Sequence, residues 1–418
     1  MLKRLLPSIL IVAALQAYGQ SNVPPSWQRT AVFDREAPVV LMPDLDIDAL
    51  LAEDEIRHAQ KVGPYKFGEN IPVELNLENS GQWETEKNGN RLWRLGIRSM
   101  GAYTVNFIFS DLYLPPGSAF YMYNDDRTEL YGPYTTADVR ADRGFATFPM
   151  RGELMWLEYF EPSAMQGQGS LALETVTHGY RDLFDIARGG GSGACNNNVN
   201  CPEGQPWQDE KRAVAIMISG GSGFCTGAMV NNTAQDGTPY FLTADHCLGG
   251  SMANWTFKFN YESANCNGTG APSLGGGQFI QGATLRASNS GSDFGLLELN
   301  STPPAAFNVY YAGWDNSGDV APNVVGIHHP SGDIKKISFE NDPVDATNWG
   351  GAACWHVPNW DDGTTEPGSS GSPLFDPDHH IIGQLFGGTA SCTNNVDDYY
   401  GRFNVSWNGN SSATRLRD

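Results

Sequence analysis

Three widely separated residues in this 418-residue chain stand in contexts suited to nucleophilic chemistry on a carbonyl. His246 closes the stretch Tyr240-Phe-Leu-Thr-Ala-Asp-His-Cys247, between an apolar run and a cysteine, with Cys225 one hairpin earlier. An imidazole fixed there can act as a base if an acid and a nucleophile follow. Asp293, in Gly291-Ser-Asp-Phe-Gly-Leu-Leu, heads an apolar strand where a carboxylate usually needs a partner, and a histidine N–H would supply one. In Glu366-Pro-Gly-Ser-Ser-Gly-Ser-Pro373, Gly368 and Gly371 free the backbone for a tight turn that can aim N–H groups inward. A serine nucleophile needs a base, a carboxylate orienting that base, and N–H donors for the oxyanion, and the order His-Asp-Ser is one known solution. Taken singly, the aspartate reads equally well as a surface cap and the Gly-Ser turn as a plain loop. Local chemistry leaves Ser369, Ser370 and Ser372 all open as the nucleophile.

The elements that must position these residues are strands. Past Cys195, short apolar runs recur, among them Ala213-Val-Ala-Ile-Met-Ile, Phe294-Gly-Leu-Leu-Glu-Leu and Ile381-Ile-Gly-Gln-Leu-Phe386, joined by Gly, Asn and Ser. No long 3.6-residue stripe appears, so an antiparallel all-β domain of barrel or sandwich type is expected. Alternation in Trp93-Arg-Leu-Gly-Ile-Arg, Val105-Asn-Phe-Ile-Phe and Leu154-Met-Trp-Leu-Glu-Tyr predicts a small β-sandwich over about 66–162. The acidic stretch 44–55 can form one short helix. Residues 163–194 read as a looser connector ending in Ile186-Ala-Arg-Gly-Gly-Gly-Ser-Gly193, whose glycines predict exposed, cleavable backbone.

Chain-wide features agree with a division there. All seven cysteines lie beyond the connector, which in an oxidising compartment suggests up to three disulfides and one leftover thiol. The basic Lys3-Arg4 head, the short apolar run and Ala17-Tyr18-Gly19 predict a signal peptide over 1–19 and a secreted, extracellular product without a stable membrane span. A net charge of −21 argues against nucleic acid as a partner. Residues 190–418 hold 22 acidic against 9 basic residues, a bias that favours basic substrates or simply solubility. No close-spaced cysteine pair or paired-histidine helix suggests a metal site, and no cofactor is expected.

Residues 190–418 resemble the secreted bacterial lysyl endopeptidases, a group of chymotrypsin-like serine proteases. The matching strings include Val199-Asn-Cys-Pro-Glu-Gly204, Tyr240-Phe-Leu-Thr-Ala244, Ile327-His-His-Pro330, Thr365-Glu-Pro-Gly-Ser-Ser-Gly-Ser-Pro373 and Gly383-Gln-Leu385. The resemblance implies a double β-barrel protease domain at 189–418 behind a propeptide at 20–188. It puts the nucleophile on Ser370, the oxyanion hole on the N–H groups of Gly368 and Ser370, and disulfides on Cys195–Cys392, Cys201–Cys266 and Cys225–Cys247. Asp398 would charge the base of a lysine pocket beside Thr365, and Leu385-Phe386-Gly387 would pair with an extended peptide. Trp349 would form a lid with Phe386, where the family often has histidine. Ser369 stands where trypsin-like zymogens carry aspartate, so activation should instead remove a covering pro-domain that serves as inhibitor or folding aid. No lysine lies between Lys87 and Lys211, so the linker cut requires another protease acting after Arg188, or acceptance of arginine. A monomer acting on protein or peptide substrates is expected. The alternatives are a Lys/Arg or glutamyl endopeptidase of the same fold, or an inactive homologue binding peptides or glycans.

Overall fold

Among the described residues β-strand dominates, in one six-stranded, one five-stranded and two eight-stranded sheets. The computed structural model describes residues 22–28, 37–60, 63–183, 191–272, 274–275 and 277–418. The expected signal peptide and the glycine-rich cut site at 188–190 lie outside them. The acidic stretch does form a helix, Ile47–Gln60.

The two N-terminal sheets share one core that includes Trp93, Leu95, Phe107, Phe109, Phe120, Leu157 and Val176. They are not confined to 66–162. Ser170–Gly179, expected as connector, is a ten-residue strand paired on both sides, with Thr104–Tyr113 and Gly68–Asn76. Register shifts at Ala172/Leu173 and Leu173/Thr175 break its two-residue alternation, which hides it from a period-based reading.

Tyr65–Lys66 leaves these sheets and pairs antiparallel with Gly223–Met229 in the C-terminal half. Next to it, Phe67 stacks on Phe224 with ring centroids 4.5 Å apart. Phe67, Phe148 and Leu183 share a buried cluster with Ile216, Ile218, Tyr261 and Ile334. The two halves therefore share a hydrophobic core as well as a strand ladder.

The C-terminal half is likewise largely β, built from two further sheets. One sheet runs Phe279–Gln281, Thr256–Phe259, Val214–Ser219, Gly223–Met229, Tyr240–Ala244, Phe294–Leu299, Ala283–Asn289. The other runs Asn197–Asn198, Lys336–Glu340, Val324–His328, Pro373–Phe375, Ile381–Gly388, Val396–Arg402, Ala352–Asn359, Asp345–Trp349. Both strand orders are open paths rather than closed rings. The candidate residues lie between these two sheets.

Candidate active site

Strand register brings the histidine and the aspartate together. Tyr240–Ala244 and Phe294–Leu299 are antiparallel with Ala244 opposite Phe294. The short 3-10 turn Asp245–Cys247 after one strand must then meet Asp293 before the other. His246 Nδ1 lies 2.9 Å from Asp293 Oδ2, and the His246 backbone N–H donates to Asp293 Oδ1 at 3.0 Å. This contact favours the tautomer with its proton on Nδ1, leaving Nε2 as the acceptor. Asp293 is 2% exposed, and Gln384 Nε2 donates to its carbonyl at 3.2 Å.

Burial distinguishes the three serines. Ser369 and Ser372 are fully buried, whereas Ser370 is partly exposed and lines a cleft with His246. Ser369 Oγ lies 2.8 Å from His328 Nδ1, and His328 Nε2 lies 3.1 Å from Ser338 Oγ. Burial lowers the pKa of His328 to about 3, with a smaller contribution from Lys336, so this imidazole is neutral. The turn is pinned to the other sheet by Thr226, whose N–H donates to the Ser370 carbonyl at 2.8 Å and whose hydroxyl donates to that of Gly368 at 3.0 Å. Gly371 has φ +82°, and a side chain there would collide with Thr243 Oγ1 and the Thr226 carbonyl. Only glycine fits this approach between the sheets.

Thr365, Glu366, Leu385, Gly387, Gly388 and Ala390 form much of the remaining cleft wall. Behind it, Asp398 is 1% exposed, and its Oδ2 accepts from Thr365 Oγ1 at 2.6 Å and Trp360 Nε1 at 2.8 Å. Phe386 sits against His246, ring centroids 5.6 Å apart, and Trp349 meets Phe386 edge-on at 4.8 Å.

Glu366 supplies a second carboxylate that had received no role of its own, although it lies within the serine turn. It accepts from the Gly193 N–H at 2.9 Å, and burial raises its pKa above the ordinary glutamate value. Arg57, Gly63 and Tyr65 also line the cleft. Nothing local to those residues announces this, since they reach it only through the docking of the N-terminal half.

A family model described as "Lysyl endopeptidase, C-terminal domain" matches residues 189–401. The chain belongs to that family. Over 295 residues the chain is 29% identical to a lysyl endopeptidase of Pseudomonas aeruginosa, covering 64% of this chain and 62% of that relative's length. Among solved structures, the active form of the Rv3671c protease from M. tuberculosis matches at 16% identity and TM-score 0.33, covering 46% of this chain and 76% of that one. The thermostable serine protease AL20 from an extremophilic microorganism matches at 13% identity and TM-score 0.35, covering 46% and 92%.

Within this family member, Cys195 is bonded to Cys392, Cys201 to Cys266 and Cys225 to Cys247. The last ties the His246 turn to a neighbouring strand. Cys354 is free and buried, and burial pushes its thiol up to about 12, which makes it a poor nucleophile. Among the described residues there is no metal-binding cluster and no helix long and apolar enough to cross a membrane. A larger cavity beside Trp314, Trp407 and Leu416 contains none of the candidate triad.

Proposed function

We propose that the protein is a secreted endopeptidase that cleaves after lysine and is made as a precursor. The observation that carries the lysine reading is Asp398, a buried carboxylate held by Thr365 and Trp360 behind the wall of the Ser370 cleft. A cationic side chain entering the cleft would gain a charge-assisted partner there, whereas an acidic one would meet like charge and an apolar one would gain neither. Glu366 adds a second negative charge to the same wall.

His246 Nε2 accepts the Ser370 hydroxyl proton as Oγ attacks the scissile carbonyl carbon, and Asp293 stabilises the resulting imidazolium. The N–H groups of Gly368 and Ser370 hold the oxyanion. His246 then gives that proton to the leaving amine, the C–N bond breaks, and a water activated by the same imidazole hydrolyses the acyl-enzyme. Leu385, Phe386 and Gly387 offer backbone to an extended substrate, and Trp349 closes the side beside Phe386.

The two C-terminal sheets are read as the two barrels of a protease domain starting near residue 189, and the N-terminal half as its propeptide. Arg57, Gly63 and Tyr65 share the cleft with His246 and Ser370, which supports an inhibitory role for the attached N-terminal half. Export through the leader at 1–19, a monomeric state and the absence of a cofactor complete the reading.

The test is turnover by the purified chain, before and after limited digestion, of matched peptides bearing Lys, Arg, Glu or Leu before the scissile bond. Digestion should release activity on Lys. Arginine cleavage at a comparable rate would replace the Lys-only reading, preference for Glu would remove the role given to Asp398, and no cleavage at all would end the peptidase reading. Ser370→Ala should lower kcat/KM by roughly 10⁴-fold or more.

A further inference from the structure

Phe386 is the extra residue of a bulge, since Leu385 faces Tyr400 and Gly387 faces Tyr399 across the ladder, leaving Phe386 without a partner. A bulged residue can be aimed away from the regular pleat, and this one is aimed at His246. Behind it the rings continue in a row. Trp349 meets Phe386 at 79° with centroids 4.8 Å apart, Tyr399 lies flat on Trp349 at 4.8 Å and 4°, and His356 lies flat on Tyr399 at 5.0 Å and 15°. Tyr399 and His356 are directly opposed on adjacent strands, a pairing that fixes both side chains relative to each other. The far end is anchored: His356 Nε2 lies 2.8 Å from Asp397 Oδ1, and Nδ1 lies 3.9 Å from Asp345 Oδ2.

All four rings are partly exposed, so burial alone does not hold them. What holds each is the next ring, from the candidate base to an imidazole bonded to Asp397. We infer that Tyr399 and His356 are positioning residues for the reaction proposed above. By clamping Trp349 they press Phe386 against His246, keeping its imidazole in the rotamer bonded to Asp293 and shielding its open side from bulk water. This rests on His246 being the general base.

The test compares Tyr399→Ala, Tyr399→Phe and His356→Ala in the digested full chain, with active sites counted by stoichiometric labelling with a serine-directed phosphonofluoridate. Tyr399→Ala should lower kcat per labelled site by roughly 10-fold with KM little changed, because a misplaced base costs the transition state rather than binding. Tyr399→Phe keeps the stack and should stay close to wild type, and His356→Ala should fall between. A merely structural role would reduce the number of labelled sites and leave kcat per site unchanged, which would overturn the inference. A Phe variant as impaired as the Ala variant would also overturn it. Wild-type protein that neither labels nor cleaves would instead overturn the serine-peptidase reading beneath it.

Discussion

Glu366 and Gly388 carry the sharpest expectations for single residues. Burial raises the Glu366 pKa, so as pH falls its carboxyl takes up a proton before ordinary glutamates do and the cleft loses a negative charge. KM for a lysyl peptide should therefore rise on the acid side, and Glu366→Gln should raise KM at neutral pH and remove that part of the rise. Identical KM–pH curves for the two proteins would exclude the role. Gly388 faces Asp398 across the ladder, and a side chain there would collide with Asp398 Oδ1 and the Asp397 carbonyl. Gly388→Ala should raise KM for lysyl peptides far more than it changes kcat, as steady-state kinetics on a peptide series would reveal. The composition of the serine turn was plain from sequence, but three serines within four residues are chemically alike. Burial separates them, and burial depends on what the other sheet places against the turn.

Among the elements, the serine turn depends on two histidines that were visible only as part of a family string. His328 braces Ser369, and His329 Nδ1 lies 2.9 Å from the Asp333 carbonyl. Burial lowers the pKa of both, so both are neutral in the fold, while in the unfolded chain each takes up a proton near pH 6.5. The unfolded state then binds more protons, and stability falls as pH drops below about 6.5, by roughly 1.4 kcal/mol per unit per histidine, continuing for His328 until pH about 3. Replacing His328 with Gln should lower stability at pH 7 but flatten its decline toward pH 5. Urea midpoints at the two pH values measure this, and parallel declines would contradict it. Strand periodicity made most of the sheets legible. It missed Ser170–Gly179 because a bulged strand loses its alternation.

For the whole molecule, the decisive feature is that the N-terminal half shares a core with the C-terminal half. Phe67 is fully buried against Phe224, so Phe67→Ala should cost about 3–5 kcal/mol, measured by chemical denaturation. The loosened Tyr65–Lys66 ladder should also let the undigested chain turn over a lysyl peptide faster than wild type does. A destabilised variant whose basal turnover stays at the wild-type level would argue against obstruction by Arg57, Gly63 and Tyr65.

Sequence alone determined the chemistry on offer: a histidine, an aspartate and a serine turn in a readable order, strands around them, and cysteines confined to one half. These are properties of residue type and spacing, which local patterns carry. Tertiary structure decided which serine is accessible, that Asp398 is buried behind the cleft wall, that Glu366 shares that wall, and that residues from the other half reach it. Each of these depends on contacts between segments distant in the chain, and no local pattern encodes them. His246 shows the division: its identity is legible from residue type and spacing, but its contact with Asp293 and the Phe386 ring beside it come from the fold.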